Sequence, residues 1–336
     1  MGFIYNYLRN LPSVALGRQP TRPLMFSYYV THRCKLNCRY CSDGEGNPFK
    51  EDMVEELNTA DARRLISAIA RAVDTLDITG GEPLLRNDLA ELLVHAKRSG
   101  LRTVLNTKGI GLEQRPDVIR NTDVMVISLD SLDITRLAAL IGRPDSIAKE
   151  IFRALDYLIA KRDEFKTRVV ISVVATQTNL PDVMQVMDFA GKHDLGFHVS
   201  PEIVGTMVNS ELRNNPEYYA LMDHVIKRKD RQRGILGVKP YLAAIRDFPQ
   251  NYCYPLLMPV IRPDGRMYYP CVEKKQFIAE RLFDVGSYAA LLRCGIKQYG
   301  PVPECRGRCH IFCHMGLSML QRHFLDAIGE SKHWSR

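Results

Sequence analysis

Residues 26–41 read FSYYVTHRCKLNCRYC. The run Phe26–Thr31 is rich in aromatic and β-branched side chains and reads as a buried strand. Cys34, Cys38 and Cys41 follow it at once, on the loop that leaves the strand's carboxyl end. Ligand-type residues in that place are what a βα unit of a parallel sheet offers to a bound group. The rhythm repeats outward from this stretch. Apolar, β-branched runs at 75–79, 101–106, 124–129, 168–176 and 195–200 alternate with helical patterns such as 59–72 and 88–99, the latter stopped by Gly100. Repeated βα units predict a parallel sheet. Six are too few to close an eight-stranded barrel, so the expected fold is α/β, a partial (β/α)6 TIM-like barrel open as a crescent, with its chemistry at the strands' carboxyl ends.

The chain of 336 residues exceeds the roughly 250–300 at which a single core stops growing. Three segments are expected: a helical arm over 1–24, the barrel over 25–240, and a small cysteine-rich domain over 241–336, where prolines at 249, 255, 259, 263 and 270 interrupt any long helix. The first residues lack the basic start and continuous apolar stretch of a secretory signal, and no segment is apolar for long enough to span a bilayer, which predicts a cytoplasmic protein. In a reducing compartment nine cysteines point to metal ligands and not to disulfides. The net charge of +8 permits an anionic partner. Its densest run, residues 227–233, has no interleaved aromatics and reads as a solvated helix end, not a nucleic-acid contact. Phe3, Ile4, Tyr7, Leu8 and Leu11 recur at helical spacing, so the arm is either docked on the barrel and interrupted at Pro12 or laid on a membrane surface.

Three soft thiolates from Cys34, Cys38 and Cys41 suit an iron–sulfur cluster and leave one iron without a protein ligand. The run at 75–79 is followed by Gly80-Gly81-Glu82-Pro83, where glycines allow close backbone approach and a carboxylate suits an ammonium. The cysteine loop and this tetrapeptide resemble the CxxxCxxC and GGEP motifs of the radical S-adenosylmethionine (SAM) superfamily. The resemblance implies a four-iron, four-sulfur (4Fe-4S) cluster on Cys34, Cys38 and Cys41 whose open iron binds SAM, and a SAM amino group at Gly80, Gly81, Glu82 and Pro83. It also implies ribose contacts at Asn106 and Thr107, further contacts at Ser128 and Asp130, a carboxylate partner in Arg143, and adenine cover from Tyr40. The implied activity is reductive cleavage of SAM to a 5′-deoxyadenosyl radical that abstracts a hydrogen atom from an organic substrate, with an electron donor such as flavodoxin or ferredoxin.

Cys253, Cys271, Cys305, Cys309 and Cys313 resemble the SPASM or twitch appendage of the same enzymes, which holds auxiliary clusters. Five cysteines favour one auxiliary 4Fe-4S cluster. The expected ligands are Cys253, Cys271, Cys309 and Cys313, with Cys305 as rival, since Pro263-Asp264-Gly265 forms a hairpin turn and a spacing of four places Cys309 and Cys313 on one helix face. A zinc site is the competing metal. Cys294 reads as a structural thiol, and His310 and His314 as surface residues or supports to the metal. The expected substrate is a small molecule or lipid, because no separate peptide-recognition module is visible. A peptide maturase of the SPASM type is the alternative, and a non-catalytic iron–sulfur or zinc protein is the alternative of another class.

Overall fold

The computed structural model describes residues 2–41, 50, 52–307 and 309–334. A first helix α1 (Phe3–Ala15) precedes six parallel strands paired in chain order: β1 (Phe26–Thr31), β2 (Thr75–Gly80), β3 (Arg102–Thr107), β4 (Val124–Ser128), β5 (Arg168–Ala175) and β6 (Gly196–Pro201). The crossovers carry α2 (Thr59–Ala70), α3 (Leu89–Arg98), α4 (Pro116–Arg120), α5 (Ile134–Ile141), α6 (Asp145–Phe165) and α7 (Leu180–Lys192). This is the partial barrel the periodicity predicts. Pro12 lies inside α1 and does not end it; the residue is on the solvent side, where water can take the carbonyl its missing N–H leaves free.

Alternation along each strand sorts the side chains into two layers. Leu76 and Ile78 of β2 are fully buried and share one core with Leu65, Ile66 and Ile69 of α2. Each such side chain contributes about 1.5–3 kcal/mol by leaving water. The residues between them face the concave side.

After β6 come a two-residue hairpin of β7 (Ile203–Val204) and β8 (Met207–Val208), then α8 (Pro216–Lys229) and α9 (Lys239–Asp247). The remaining elements are β9 (Asn251–Cys253), β10 (Val260–Ile261), β11 (Arg266–Tyr268), β12 (Phe277–Arg281), α10 (Leu282–Val285), α11 (Tyr288–Tyr299), β13 (Cys305–Gly307), α12 (Phe312–Arg322) and α13 (Phe324–Trp334). Part of the cysteine-rich segment continues the barrel's sheet, while β9 and β13 form a separate two-stranded ladder. β10 pairs in parallel with β1, Ser27 opposite Val260, and β11 and β12 add antiparallel to it, so one sheet of nine strands runs β12-β11-β10-β1 to β6. The turn at Pro263-Asp264-Gly265 joins β10 to β11, with Gly265 at φ +83°. Among the described residues no helix is long and apolar enough to cross a membrane. Two members of the basic run at 227–233 serve the structure: Lys229 is buried in an ion pair of 2.8 Å with Glu330, and Arg228 pairs with Asp188.

Candidate active site

The loop bearing Cys34, Cys38 and Cys41 is held by backbone from two sides. The Gly81 amide donates to the Thr31 carbonyl and the Glu82 amide to the Arg33 carbonyl, both at 2.8 Å. That approach explains the glycines: a Cβ on Gly80 would stand 2.1 Å from the Thr31 oxygen, and one on Gly81 2.2 Å from the Arg33 oxygen. On the other side the Asn37 amide donates to the Ile141 carbonyl at 2.9 Å, and a Cβ on Gly142 would meet Asn37 at 2.8 Å. Arg143 follows directly, and no ion pair of its guanidinium is seen among the described residues.

The loop thiols favour a cationic guest. Burial pushes Cys34 and Cys38 up, and Cys41 rises to about 11 through burial and repulsion from Cys38 and Cys34. A positive centre would relieve that repulsion and draw off the protons. Among the described residues no three Cys, His, Asp or Glu side chains converge on one metal ion. Cluster irons each take their own thiolate, so the residues present fit a cluster better than a single zinc ion, whose sulfurs all lie ~2.3 Å from one centre.

Tyr40, Lys108 and Asp130 form a buried network beside the thiols. The Asp130 carboxylate accepts from the Tyr40 hydroxyl, from Lys108 Nζ at 2.8 Å and from the Val174 amide at 3.0 Å. Burial works against the Lys108 charge, but Asp130 and Cys38 outweigh it and keep the ammonium. The geometry thus makes Asp130 the residue that orients Tyr40. Lys108 was missed as a site residue in the sequence, although it sits in the strand-end stretch Asn106–Gly109; its place behind the cysteines depends on two strand ends meeting.

Glu82 is buried and accepts from Thr107 Oγ1 at 2.6 Å and from the Lys108 and Leu84 amides at 3.0 and 3.1 Å. Burial outweighs these donors and raises its carboxyl. Thr107 is therefore committed to Glu82, while Pro83 opens the short turn behind it. Asn106 points elsewhere, donating to Asp77 on the concave face of the sheet. Ser128 is half-buried and lies opposite Ser172.

That concave face has two levels. Its floor is apolar, built from Val104, Val124, Val126 and Val170 with Leu236. Above it lies a polar layer: Ser27 and Asn106 donate to Asp77, and Ser172 meets His198 at 3.2 Å. Burial raises the Asp77 carboxyl to about 6 against the pull of its two donors, and lowers His198 to about 4, so His198 is neutral. The Tyr241 hydroxyl reaches His198 at 3.4 Å, and the Phe312 ring rests 5.4 Å from it.

Four of the five C-terminal cysteines gather. Cys253 and Cys305 stand directly opposite in the β9–β13 ladder and are hydrogen-bonded, with Cys305 lowered to about 6 by the Cys253 thiol and then by Lys274. Cys271 feels the charge of Cys309, Cys309 that of Cys305, and Cys253 those of all three. Cys313 stands apart. Burial first, and then the charge of Asp77, push it up to about 12. The helical spacing expected of Cys309 and Cys313 is corrected: α12 begins only at Phe312, so Cys309 precedes the helix. His310 and His314 are buried, not surface residues, and Cys294 packs against the main core.

Residues 28–190 match the family model described as the radical SAM superfamily. The chain is similar to the PqqA peptide cyclase of Xanthomonas euvesicatoria, 35% identical over 133 residues, which are 38% of this chain and 35% of that protein. The PqqA peptide cyclase of Rhodopseudomonas palustris is 42% identical over 94 residues, 27% of this chain and 24% of its own. The chain thus spans about a third of the length of the first of these relatives. In fold it resembles Streptococcus suis SuiB bound to S-adenosylmethionine, with a TM-score of 0.56 and 15% identity over 83% of this chain and 67% of that one. It also resembles anSMEcpe with bound AdoMet and the Cp18Cys peptide, with a TM-score of 0.59 and 14% identity over 93% and 99%. With the three-cysteine loop, the Gly80–Pro83 turn that clasps it and the six-stranded crescent all in place, residues 28–190 form a radical SAM domain.

Proposed function

We propose that this radical SAM enzyme modifies a peptide, in the manner of a SPASM-type maturase, with an auxiliary 4Fe-4S cluster on Cys253, Cys271, Cys305 and Cys309. The observation that carries the substrate class is the 35% identity to PqqA peptide cyclases over 133 residues. The fold of the SuiB structure bound to precursor peptide SuiA, shared over 83% of this chain, supports it. This replaces the small molecule or lipid expected from the lack of a separate recognition module, because the open crescent itself offers a concave face to an extended chain.

Bound at Cys34, Cys38 and Cys41, the cluster with SAM supplies one-electron cleavage and hydrogen-atom abstraction. The protein's own residues do the rest. The Gly80–Pro83 turn and the Ile141–Arg143 segment fix the loop, so SAM meets a preorganised seat. Arg143 takes the SAM carboxylate, and Asp130 holds Tyr40 against the adenine side. The valine floor excludes water beneath the substrate. Asp77, held by Ser27 and Asn106 with a carboxyl near 6, is an acceptor for a substrate N–H or O–H and takes the proton if the product loses one.

The test is anaerobic reconstitution with SAM, dithionite and a panel of precursor-like peptides. The expected result is peptide-dependent 5′-deoxyadenosine formation with a matching change of peptide mass. Stimulation by small metabolites or lipids, with peptides inert, would overturn the peptide reading.

A further inference from the structure

We propose that the outward face of α1, together with that of α13, docks the protein on an anionic lipid bilayer. The helix is anchored by two inward asparagines. Asn6 donates to the Pro23 and Ala72 carbonyls at 2.8 and 3.0 Å, Asn10 donates to Arg22 at 2.8 Å, and both asparagines are buried. Tyr7 goes in with them, and Phe3, Leu11 and Val14 pack half-buried beside it. A second apolar strip is left outside: Ile4 is 74% exposed, Leu16 68%, Tyr5 49% and Leu8 48%. At 100° per residue these four, with Pro12 and Ala15, form one continuous stripe. A surface helix that is apolar on its solvent side marks a docking site.

α13 packs beside α1 and exposes apolar residues of its own. Phe324 stacks on Tyr7 at 6.2 Å, and Leu325 and Ile328 beside it are 80% and 57% exposed. The buried pair of Lys229 with Glu330 ties this helix to the barrel, so the two faces form a fixed surface.

Charge selects the occupant. Residues 1–42 contain no Asp or Glu, while Arg9 and Arg18 are exposed beside the stripe and the Arg22 guanidinium lies 5.7 Å from the Tyr5 ring. Asp74, which caps the start of α1, and Asp326 on α13 are the nearby acids. A second copy of the chain packed on a two-fold axis would set these arginines against themselves. Anionic headgroups neutralise them while the acyl boundary takes the apolar stripe.

The test is co-sedimentation of the reconstituted protein with vesicles of phosphatidylcholine and phosphatidylglycerol, against phosphatidylcholine alone. Binding to the anionic vesicles is expected, weakened by salt. The double variant Ile4→Glu/Leu8→Glu is expected to lose about tenfold or more in affinity while cleaving SAM like the wild type. Leu325→Glu/Ile328→Glu tests the second helix independently, should the first variant misfold. Wild-type protein left in the supernatant, variants that bind as before, or a dimer in solution that the same substitutions dissolve would each overturn the proposal, the last in favour of a contact between copies.

Discussion

Cys34, Cys38 and Cys41 lie on one loop directly after β1, whereas Cys253, Cys271, Cys305 and Cys309 are drawn from separate strands and turns across residues 253–309. The first set is positioned by backbone hydrogen bonds from the turn after β2 and from the end of α5. The second is brought together by one short ladder, in which Cys253 faces Cys305, and by a hairpin turn. A site written in consecutive residues carries its own scaffold. A site gathered from distant residues needs its metal as a staple, because loop closure over tens of residues is costly until the ligands bind.

The sharpest way to break this contrast is to remove the first set. The triple Cys→Ala variant at 34, 38 and 41 is expected to lose reductive SAM cleavage altogether while keeping about four of about eight irons, as read by 5′-deoxyadenosine formation and iron analysis. Loss of all iron would show that the two sets fold as one. Next in size, Cys305→Ala is expected to lose the auxiliary cluster, whereas Cys313→Ala keeps it; iron content and the visible absorption of the two variants check this, and the reverse pattern would restore the pairing of Cys309 with Cys313.

A smaller effect is expected from Gly80→Ala. The added methyl meets the Thr31 oxygen at 2.1 Å with the backbone at φ +138°, so the clasp on the first loop opens at a cost of about 3 kcal/mol. Urea unfolding measures it, together with weakened SAM binding. The smallest effect is that of Asp77→Asn. Its carboxyl rises from 3.8 in the unfolded chain to about 6 in the fold, so its contribution is fully present below pH 4 and is lost as pH rises towards 6. Removing the charge should raise stability at pH 8 by about 2 kcal/mol, after allowing for one weakened hydrogen bond, and leave stability below pH 4 nearly unchanged. Unfolding curves at the two pH values decide it, and turnover of the substrate should fall in parallel.

Most of the barrel was legible because each strand is a short β-branched run with a helix after it, and the predicted and observed ends differ by a residue or two. The first cysteine set and the Gly80–Pro83 turn were legible for the same reason: their meaning is local. Three things were not. β10 is two residues long, and nothing in Val260–Ile261 announces that it pairs with β1. Asp77 reads as an interruption in an apolar strand until Ser27 and Asn106, from the strands on either side, are seen to hold it. Cys309 and Cys313 do not share a helix face, because the helix that carries Cys313 starts only at Phe312.

The continuous sheet leaves no room for a hinge between the barrel and the β10–β12 strands that lead to Cys271, since parting them would unzip the Ser27–Val260 ladder. Side chains at the concave face are freer to move than this frame. Phe312, 39% exposed and resting on His198, is one of them. A ring on the surface swings in picoseconds to nanoseconds, whereas a ladder opens by local unfolding in microseconds or longer. Side chains of the crescent can thus move often while the sheet that frames them stays shut.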